Sequence, residues 1–549
     1  MRAIGHAVGT KERPNTSEEF YFWIPREERT LAVGSIVKVL GENGPVYGLV
    51  DEMMSYTDTD DFLYHQLSRG GRPDLATPSR EQSVMVCRAR ILKQETDRPL
   101  RTGVVMYPTQ RELEDLLNQE GCDIPFGVFV NTDGSVTPVK VDESYVLGPE
   151  GAHVNISGMS GLGTKTSTFL FLLSSVFAHS RSKVACVMFN IKSDDLLYID
   201  APSDCLARED HELYSICGIQ PRGFRARFFA PMNILSEARS LRGDVETFRW
   251  GYEEIKDYIP HLLKSGDQDQ REKLDTAFYD LKKMASERGL RSFSDILEFM
   301  RNELLLEDRH PTDLVRGSYK ATWLKLYNQL RGFESKYGGL ITGYEDEVVE
   351  LPYESLGDRE VWVIDLQQLD FYPRKLVFEK VISEFEARLE ERSLKVDRII
   401  LFMDELNKYA PSQHSPDVVS LKAKLIDVSA RGRSIGFSLF GAEQFKSKVE
   451  QNIMGNVSTD VYGKTKESEL LEAVYRKFSD EIKGRMRRFG KDEKLLDHEL
   501  FEAPIFVKLP RPPCRLGSDM LRSGTRLPSG RTPRLSGGRA PSERGLPRL

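Results

Sequence analysis

The pattern of apolar and polar positions divides the chain into two regimes. Through the first 150 residues, short runs rich in Val, Ile, Tyr and Phe recur between turn signals: Phe20–Ile24, Ser35–Leu40, Val46–Val50, Val84–Ile91 and Thr102–Tyr107. Runs of this length and composition read as strands. Phe126–Val130 and Val136–Val141 flank Asn-Thr-Asp-Gly, a hairpin signal. Short strands this closely spaced predict a small β-barrel over residues 1–150. The polar stretch 56–80, which carries Gly70-Gly71, reads as a long exposed loop.

Beyond residue 151, nearly all-apolar runs alternate with helical stretches. The runs are His153–Ser157, Lys183–Ile191, Val361–Leu366, Ile399–Met403, Ser434–Phe440 and Val457–Tyr462. Strands covered by helices on both faces look like this, so an α/β core is expected over 151–232 and 337–508. Residues 233–336 interrupt it with helical periodicity. Leu274, Phe278, Leu281 and Ala285 recur at i, i+4, i+7 and i+11. Ser292 with Asp295 would cap a following helix, Ser294–Leu305. This segment reads as an inserted helical bundle. From residue 509 to 549 the chain is Pro, Gly, Ser and Arg, a composition that cannot bury a core and reads as a disordered basic tail.

Composition narrows the class. The chain has 549 residues, 40% of them hydrophobic and 29% charged, as in a globular protein of several domains. The longest apolar run, Phe169–Ala178, is too short to span a bilayer, and the N-terminal residues lack the apolar centre of a secretory signal. Six cysteines without a CxxC pair read as reduced thiols, so a cytoplasmic protein without a membrane partner is expected. Net charge is −7, but the segment from Leu509 onward holds nine arginines against Asp519 and Glu543, which leaves the preceding chain at −14. A body this acidic would touch nucleic acid only through a local basic lining. Lys422, Lys424, Lys446 and Lys448 are candidates for that lining.

The chemistry concentrates in three segments. His153–Ser167 reads HVNISGMSGLGTKTS, a strand running into a Gly-rich loop, then Lys165-Thr166 and an apolar helix. Glycines let backbone amides turn toward a phosphate, and the helix N-terminus adds partial positive charge. Gly158, Ser160, Gly161, Leu162, Gly163, Thr164, Lys165, Thr166 and Ser167 are therefore the nucleotide-binding candidates. Lys165 would reach the β/γ-phosphates of ATP and Thr166 would hold Mg²⁺. Thr164 intervenes between the last glycine and the lysine, a departure from GxxxxGK[ST]; an ordinary Gly-rich turn is the rival reading of this segment alone. The second segment, RIILFMDELNKYAP at 398–411, ends an apolar run on Asp404-Glu405. Asp404 would hold the Mg²⁺ through water and Glu405 would polarise the attacking water. The third runs from Ser429 through Arg431 and Arg433 into the strand that ends at Gln444. Gln444 would sense the γ-phosphate, and the arginines would either reach a neighbouring subunit's nucleotide or form a solvated or DNA-facing basic patch. Asp194 and Asp195, after Phe189, are weaker candidates whose expected role is structural capping.

Together, HVNISG leading into GLGTKTS, FMDELNKYAP and RGRSIGFSLFGAEQ resemble the HerA family of hexameric ATPases, within the HerA–FtsK group of RecA-like motors. The likeness extends over most of residues 1–508, and GLGTKTS looks like a bacterial HerA-like form of the loop. The resemblance implies a RecA-like ATPase core with an N-terminal, HAS-barrel-like domain and a helical insertion. It also implies a homohexameric ring that moves double-stranded DNA through its pore using ATP and Mg²⁺. A partner effector, either a nuclease or a sirtuin-like NAD hydrolase, would act in DNA end processing or anti-phage defence. The alternatives are a nucleotide-binding ring scaffold that regulates an effector with little motor activity, and a conjugation or secretion motor of the same superfamily.

Overall fold

The computed structural model describes residues 2–25, 27–42, 44–57, 83–118, 121–159, 164–192, 194–264, 267–306, 310–413, 415 and 418–518. Six strands form a closed antiparallel barrel: β1 (Ala3–Val8), β2 (Glu19–Ile24), β3 (Ile36–Gly41), β4 (Gly44–Thr57), β5 (Ser83–Lys93) and β6 (Thr102–Met106), in the order β1-β2-β5-β4-β3-β6. Closure leaves no unpaired edge. Phe20, Phe22, Val37, Val39, Val50, Ala89 and Val105 fill the interior. The closing strand β1 is AIGHAV, whose glycine and histidine conceal it in the sequence. Gly5 is required there, because a Cβ would lie 2.4 Å from the Trp23 carbonyl oxygen. The predicted loop at 56–80 lies outside the described residues, apart from Tyr56 and Thr57 at the end of β4.

The barrel ends at Met106, short of the expected 150. After helix α1 (Gln110–Leu117), the hairpin β7 (Cys122–Val130) and β8 (Val136–Asp142) leaves the barrel and closes one end of a twelve-stranded sheet. The reason is burial: Ile124, Phe126, Val128 and Phe129 are all buried, more apolar surface than a strand with one solvated face would carry. Asn131 in the hairpin turn pins the barrel to the sheet, accepting from Ile36 N and donating to Ile36 O, each at 3.1 Å.

The sheet also contains β9 (Ala152–Ser157), β10 (Val184–Asn190), β11 (Arg225–Pro231), β12 (Glu246–Phe248), β15 (Glu360–Asp365), β16 (Arg398–Asp404), β17 (Phe437–Glu443), β18 (Val457–Tyr462), β19 (Glu493–His498) and β20 (Ile505–Lys508). Its order is β12-β11-β15-β10-β16-β17-β9-β18-β19-β20-β7-β8, parallel from β12 to β18 and antiparallel thereafter. Helix α2 (Thr164–His179) is apolar on all sides, and Phe169 through Leu173 are fully buried beneath the sheet. Phe169 stacks on Phe402 of β16 with ring centroids 3.8 Å apart.

Between β12 and β15 lies the helical insertion, with α3 (Gln268–Arg288), α4 (Phe293–Phe299), a small hairpin β13 (Leu314–Val315) and β14 (Ser318–Tyr319), and α5 (Lys320–Arg331). Leu274, Phe278, Leu281 and Ala285 are buried along α3, as their periodicity requires. Ser292 caps α4 by accepting from Asp295 N at 3.1 Å. The helix stops at Phe299 and continues as a π-helical turn, Met300–Leu304. The insertion shares one apolar core with the sheet, which includes Trp323, Trp362 and Phe378. Strand β12 falls within residues 233–336 yet extends the sheet rather than the bundle.

The beginning of the basic tail is ordered, contrary to the expectation for 509–549. Cys514 and Leu516 are buried, Cys514 bridges Pro202, and the Tyr214 hydroxyl donates to Arg511 O at 2.6 Å. Two apolar anchors and three stiff prolines suffice to hold a short strap against the body. Residues 519–549 lie outside the described residues.

Candidate functional site

Four neighbouring parallel strands end side by side: β9 at Ser157, β17 at Glu443, β16 at Asp404 and β10 at Asn190. The carboxyl ends of parallel strands are where open α/β sheets bind ligands. Register places Glu443 opposite Ser157 and Asp404 opposite Ala442, so the Gly-rich loop and the acidic pair flank the end of β17. Lys165 and Thr166 lie in the first turn of α2, beside this edge. Ser160, Gly161, Leu162 and Gly163 lie outside the described residues, and of Thr164 only its place at the head of α2 is described.

Two contacts anchor the start of the loop. Gly158 N donates to Glu443 O at 3.1 Å, and Met159 N to Lys464 O at 2.8 Å. At the other end of β9, His153 is buried at φ 71° and ties three elements together. Its Nδ1 accepts from Leu439 N at 2.9 Å, so Nε2 carries the proton it gives to Ser429 O, also at 2.9 Å. Burial pushes its pKa down to about 4, which keeps the ring neutral.

Lys165 is 7% exposed, and its Nζ lies 3.5 Å from Gly158 O. Burial lowers its pKa, while Asp404, Glu443 and Glu405 act to raise it. The Lys192 ammonium acts in the same direction as burial. Glu405 follows β16 at φ 59°, ψ 41°, a left-handed conformation that costs a non-glycine residue on the order of 1 kcal/mol or more. Strain of this kind at the end of a core strand is a mark of function rather than of folding. Burial alone would raise the Glu405 pKa, but bonds from Lys192 and Lys408 outweigh it and hold the carboxyl below its usual range.

Lys192, two residues past β10, was not singled out by the sequence. Its Nζ lies 3.2 Å from Asp404 Oδ2 and 2.5 Å from Glu405 Oε1. Only the pairing of β10 with β16 brings it there, a juxtaposition invisible in one dimension. An ammonium held between these carboxylates marks a position that attracts cations. The hard oxygen donors of Asp404 and Thr166 fit Mg²⁺ on the same ground.

Gln444 is half-buried, one residue past β17 at the same edge. Arg431 and Arg433 lie in the last turns of helix α6 (Val419–Ile435), not in a loop before the strand. The helix runs on because Gly432 packs flush against Phe437 O, where a Cβ would come within 2.1 Å. Arg431 is engaged within its own chain by Glu386, Glu390 and Asp427. For Arg433, among the described residues, one hydrogen bond is seen, to Glu150 O at 3.3 Å. Asp195 accepts from Ser518 N at 2.9 Å, a structural role.

The four candidate DNA-facing lysines fare unequally. Lys422 pairs with Glu450 and Lys424 with Glu386. Lys446 is buried, 2.5 Å from Asp460 Oδ2 and 2.9 Å from the Tyr462 hydroxyl. Lys448 alone is exposed, over the Phe445 ring. A cavity of about 900 Å³ opens at the barrel rim between Gly9, Gly41, Glu42 and Arg101, remote from this chemistry. Among the described residues no helix is long and apolar enough to cross a membrane.

No family model matches this chain, and neither does any curated protein. Solved structures do. The bacterial conjugative coupling protein TrwBdeltaN70, unbound, is similar over 74% of this chain and 93% of its own, at 11% identity and a TM-score of 0.43. The plasmid coupling protein TrwB with a non-hydrolysable ATP analogue covers 66% of this chain and 86% of its own, at 12% identity and a TM-score of 0.39. EssC (ATPases 2 and 3) from Geobacillus thermodenitrificans covers 72% of this chain and 45% of its own, at 11% identity and a TM-score of 0.28.

Proposed function

We propose that this chain is an Mg-ATP hydrolase of the HerA–FtsK type, a homohexameric motor on double-stranded DNA that works with a partner effector. The observation that carries the reading is the meeting, at the carboxyl edge of a parallel sheet, of Asp404 and Glu405 holding the Lys192 ammonium with Lys165 in the first turn of α2 and Gly158 opening the Gly-rich loop from β9. Lys165 compensates phosphate charge, Asp404 and Thr166 hold Mg²⁺, and Glu405 polarises water for attack in line with the leaving group. Mg²⁺, held by Asp404 and Thr166, would supply positive charge against the charge that develops on the phosphates. Lys192 gives up its contacts with Asp404 and Glu405 as the cation enters. Gln444, beside the γ-phosphate position, orients the water.

A purified preparation should hydrolyse ATP, and linear duplex DNA should stimulate turnover severalfold. Absence of turnover from an assembled ring would favour the scaffold that regulates an effector instead.

The arginines allow a sharper test of the ring. Arg431 is occupied by three carboxylates, so Arg433 is the arginine that would complete a neighbour's site. A ring mixed from Arg433→Ala and Glu405→Gln subunits should recover activity that neither parent has, because some interfaces then contain both groups. Mixing Arg433→Ala with wild type should depress activity more than in proportion. A strictly additive mixture would place Arg433 in cis or on DNA.

A further inference from the structure

Among the buried carboxyl groups that the mechanism above leaves unused, Glu443 stands at the edge of the site. Glu443 is 0% exposed at the end of β17, and among the described residues neither of its carboxylate oxygens has a hydrogen-bond partner, although the nearby Asn155 amide acts to favour the ionised form. Its neighbour Asp460 takes the opposite course. Asp460 accepts from Asn155 Nδ2 at 2.9 Å, Lys446 Nζ at 2.5 Å and the Tyr462 hydroxyl at 3.1 Å. The donors in this cluster are therefore spent on Asp460. Around Glu443 three further buried polar atoms have no partner among the described residues: Asn155 Oδ1, Ser157 Oγ and the Tyr475 hydroxyl. Ser157 lies opposite Glu443 in register, and both it and Asn155 belong to β9, the strand that opens into the Gly-rich loop.

An ionised carboxylate with no donor in a dry interior is among the costliest arrangements in a protein, and such groups neutralise instead. A proton on Glu443 removes the uncompensated charge and supplies a donor for Asn155 Oδ1, an acceptor with no hydrogen of its own, while the Ser157 and Tyr475 hydroxyls can donate or accept to suit. We propose that Glu443 works as a neutral carboxylic acid, a positioning residue whose O–H holds the end of β9 and whose lack of charge admits phosphates beside Lys165. The inference rests on the nucleotide-binding reading of the site. Burial supports it by pushing the Glu443 pKa up to about 8.

The charges facing Glu443 work in the same direction. Lys446 is committed to Asp460, and Asp460 itself opposes a second negative charge. Tyr475 and Tyr462 face it from neighbouring elements and stay neutral, while Glu469 is held by Ser447. Lys165 is the remaining cation nearby. Once Lys165 serves the phosphates, nothing compensates an ionised Glu443, and the phosphates repel it. Nucleotide should therefore bind preferentially to the protonated form and draw a proton in with it.

The test is calorimetry of Mg-ADP binding to the full chain between pH 7 and 9.5. Wild-type affinity should fall by up to about 10-fold per pH unit above pH 8, the limit for one linked proton. In buffers of different ionisation heat, wild type should take up a fraction of a proton per nucleotide near pH 8. Glu443→Gln keeps a donor without a titration. It should bind within about 3-fold of wild type at pH 7, show no such uptake and have a flat profile. Lost binding by a folded Glu443→Gln protein would overturn the proposal, because it would mean that the ionised carboxylate is required. So would an alkaline fall that persists in the variant, since the titrating group would then be another, such as Lys165.

Thermal unfolding without nucleotide separates this proposal from the reading it rests on. A raised pKa means that the folded state holds a proton which the unfolded state releases. Wild type should therefore lose stability relative to Glu443→Gln as pH rises from about 4.5 to about 8, and no further above that. If wild type binds no nucleotide but this divergence appears, the nucleotide reading fails and the neutral Glu443 stands. A constant difference across the window would overturn the neutral acid itself. If the variant does not fold, wild-type proton uptake decides alone, and its absence at pH 8 refutes the proposal.

Discussion

Lys165→Ala is expected to abolish ATP turnover while leaving the barrel, the sheet and the insertion folded. Removing a preorganised charge from a site of this kind costs on the order of 100- to 1,000-fold in rate. Here the loss should lie at the upper end, because Lys165 is the buried ammonium in the first turn of α2, where the Gly-rich loop ends. Lys408 is paired with Glu405, and Lys192 sits on the acidic pair rather than in the first turn of α2 where the Gly-rich loop ends, so neither takes over its place. Stability should change little. The Lys165 ammonium is buried and, among the described residues, makes one long hydrogen bond, to Gly158 O, so its removal ends a desolvation cost as well as a contact. Phosphate release and thermal unfolding, measured on the same preparation, check both halves. Turnover near wild type in a folded protein would place the phosphate site elsewhere.

What was legible in the sequence follows from what is local. The apolar runs of the parallel strands announce themselves because both faces are buried, and the heptad-like spacing along α3 maps directly onto its buried face. Asp404-Glu405 and Lys165-Thr166 were legible because polar residues end apolar runs abruptly. What was missed depends on pairing. Lys192 gains its role only from the adjacency of β10 and β16, and Glu443 only from lying between β9 and β16 with its donors taken by others. The β7–β8 hairpin was recognised as a hairpin, but nothing local tells which sheet it joins. Arg431 and Arg433 do precede the strand, but its expected start at Ser434 gives way to Phe437, because the helix continues to Ile435 and turns at Gly436 with φ 91°. The tail failed for the opposite reason. Its average composition predicts disorder, yet Cys514 and Leu516 alone are enough to seat its first residues.

Glu405→Gln should bind nucleotide normally and hydrolyse it about 100-fold or more slowly, the usual cost of removing a group that polarises the attacking water. The amide has the same shape and tolerates the left-handed backbone at 405 as well as the acid does, so the strained turn and the short helix after it persist. Its carbonyl oxygen can still accept from Lys192 or Lys408, but without charge both ion pairs weaken, and Lys192 becomes freer to follow Asp404 or a phosphate. Nucleotide affinity should therefore hold or rise slightly while the chemical step stalls. Because Lys192 and Lys408 keep the wild-type carboxyl below its usual range, Glu405 is ionised throughout the neutral region. With Lys192 displaced by the cation, Lys408 still faces the carboxyl, so the acid loss of activity due to Glu405 should lie no higher than the ordinary carboxylate range, and the slow turnover of the variant should lack that limb. Equilibrium binding of Mg-ATP and single-turnover hydrolysis measure the two halves separately. If the variant loses nucleotide affinity together with its Mg²⁺ dependence, Glu405 is the metal-holding residue and Asp404 the one that acts on water.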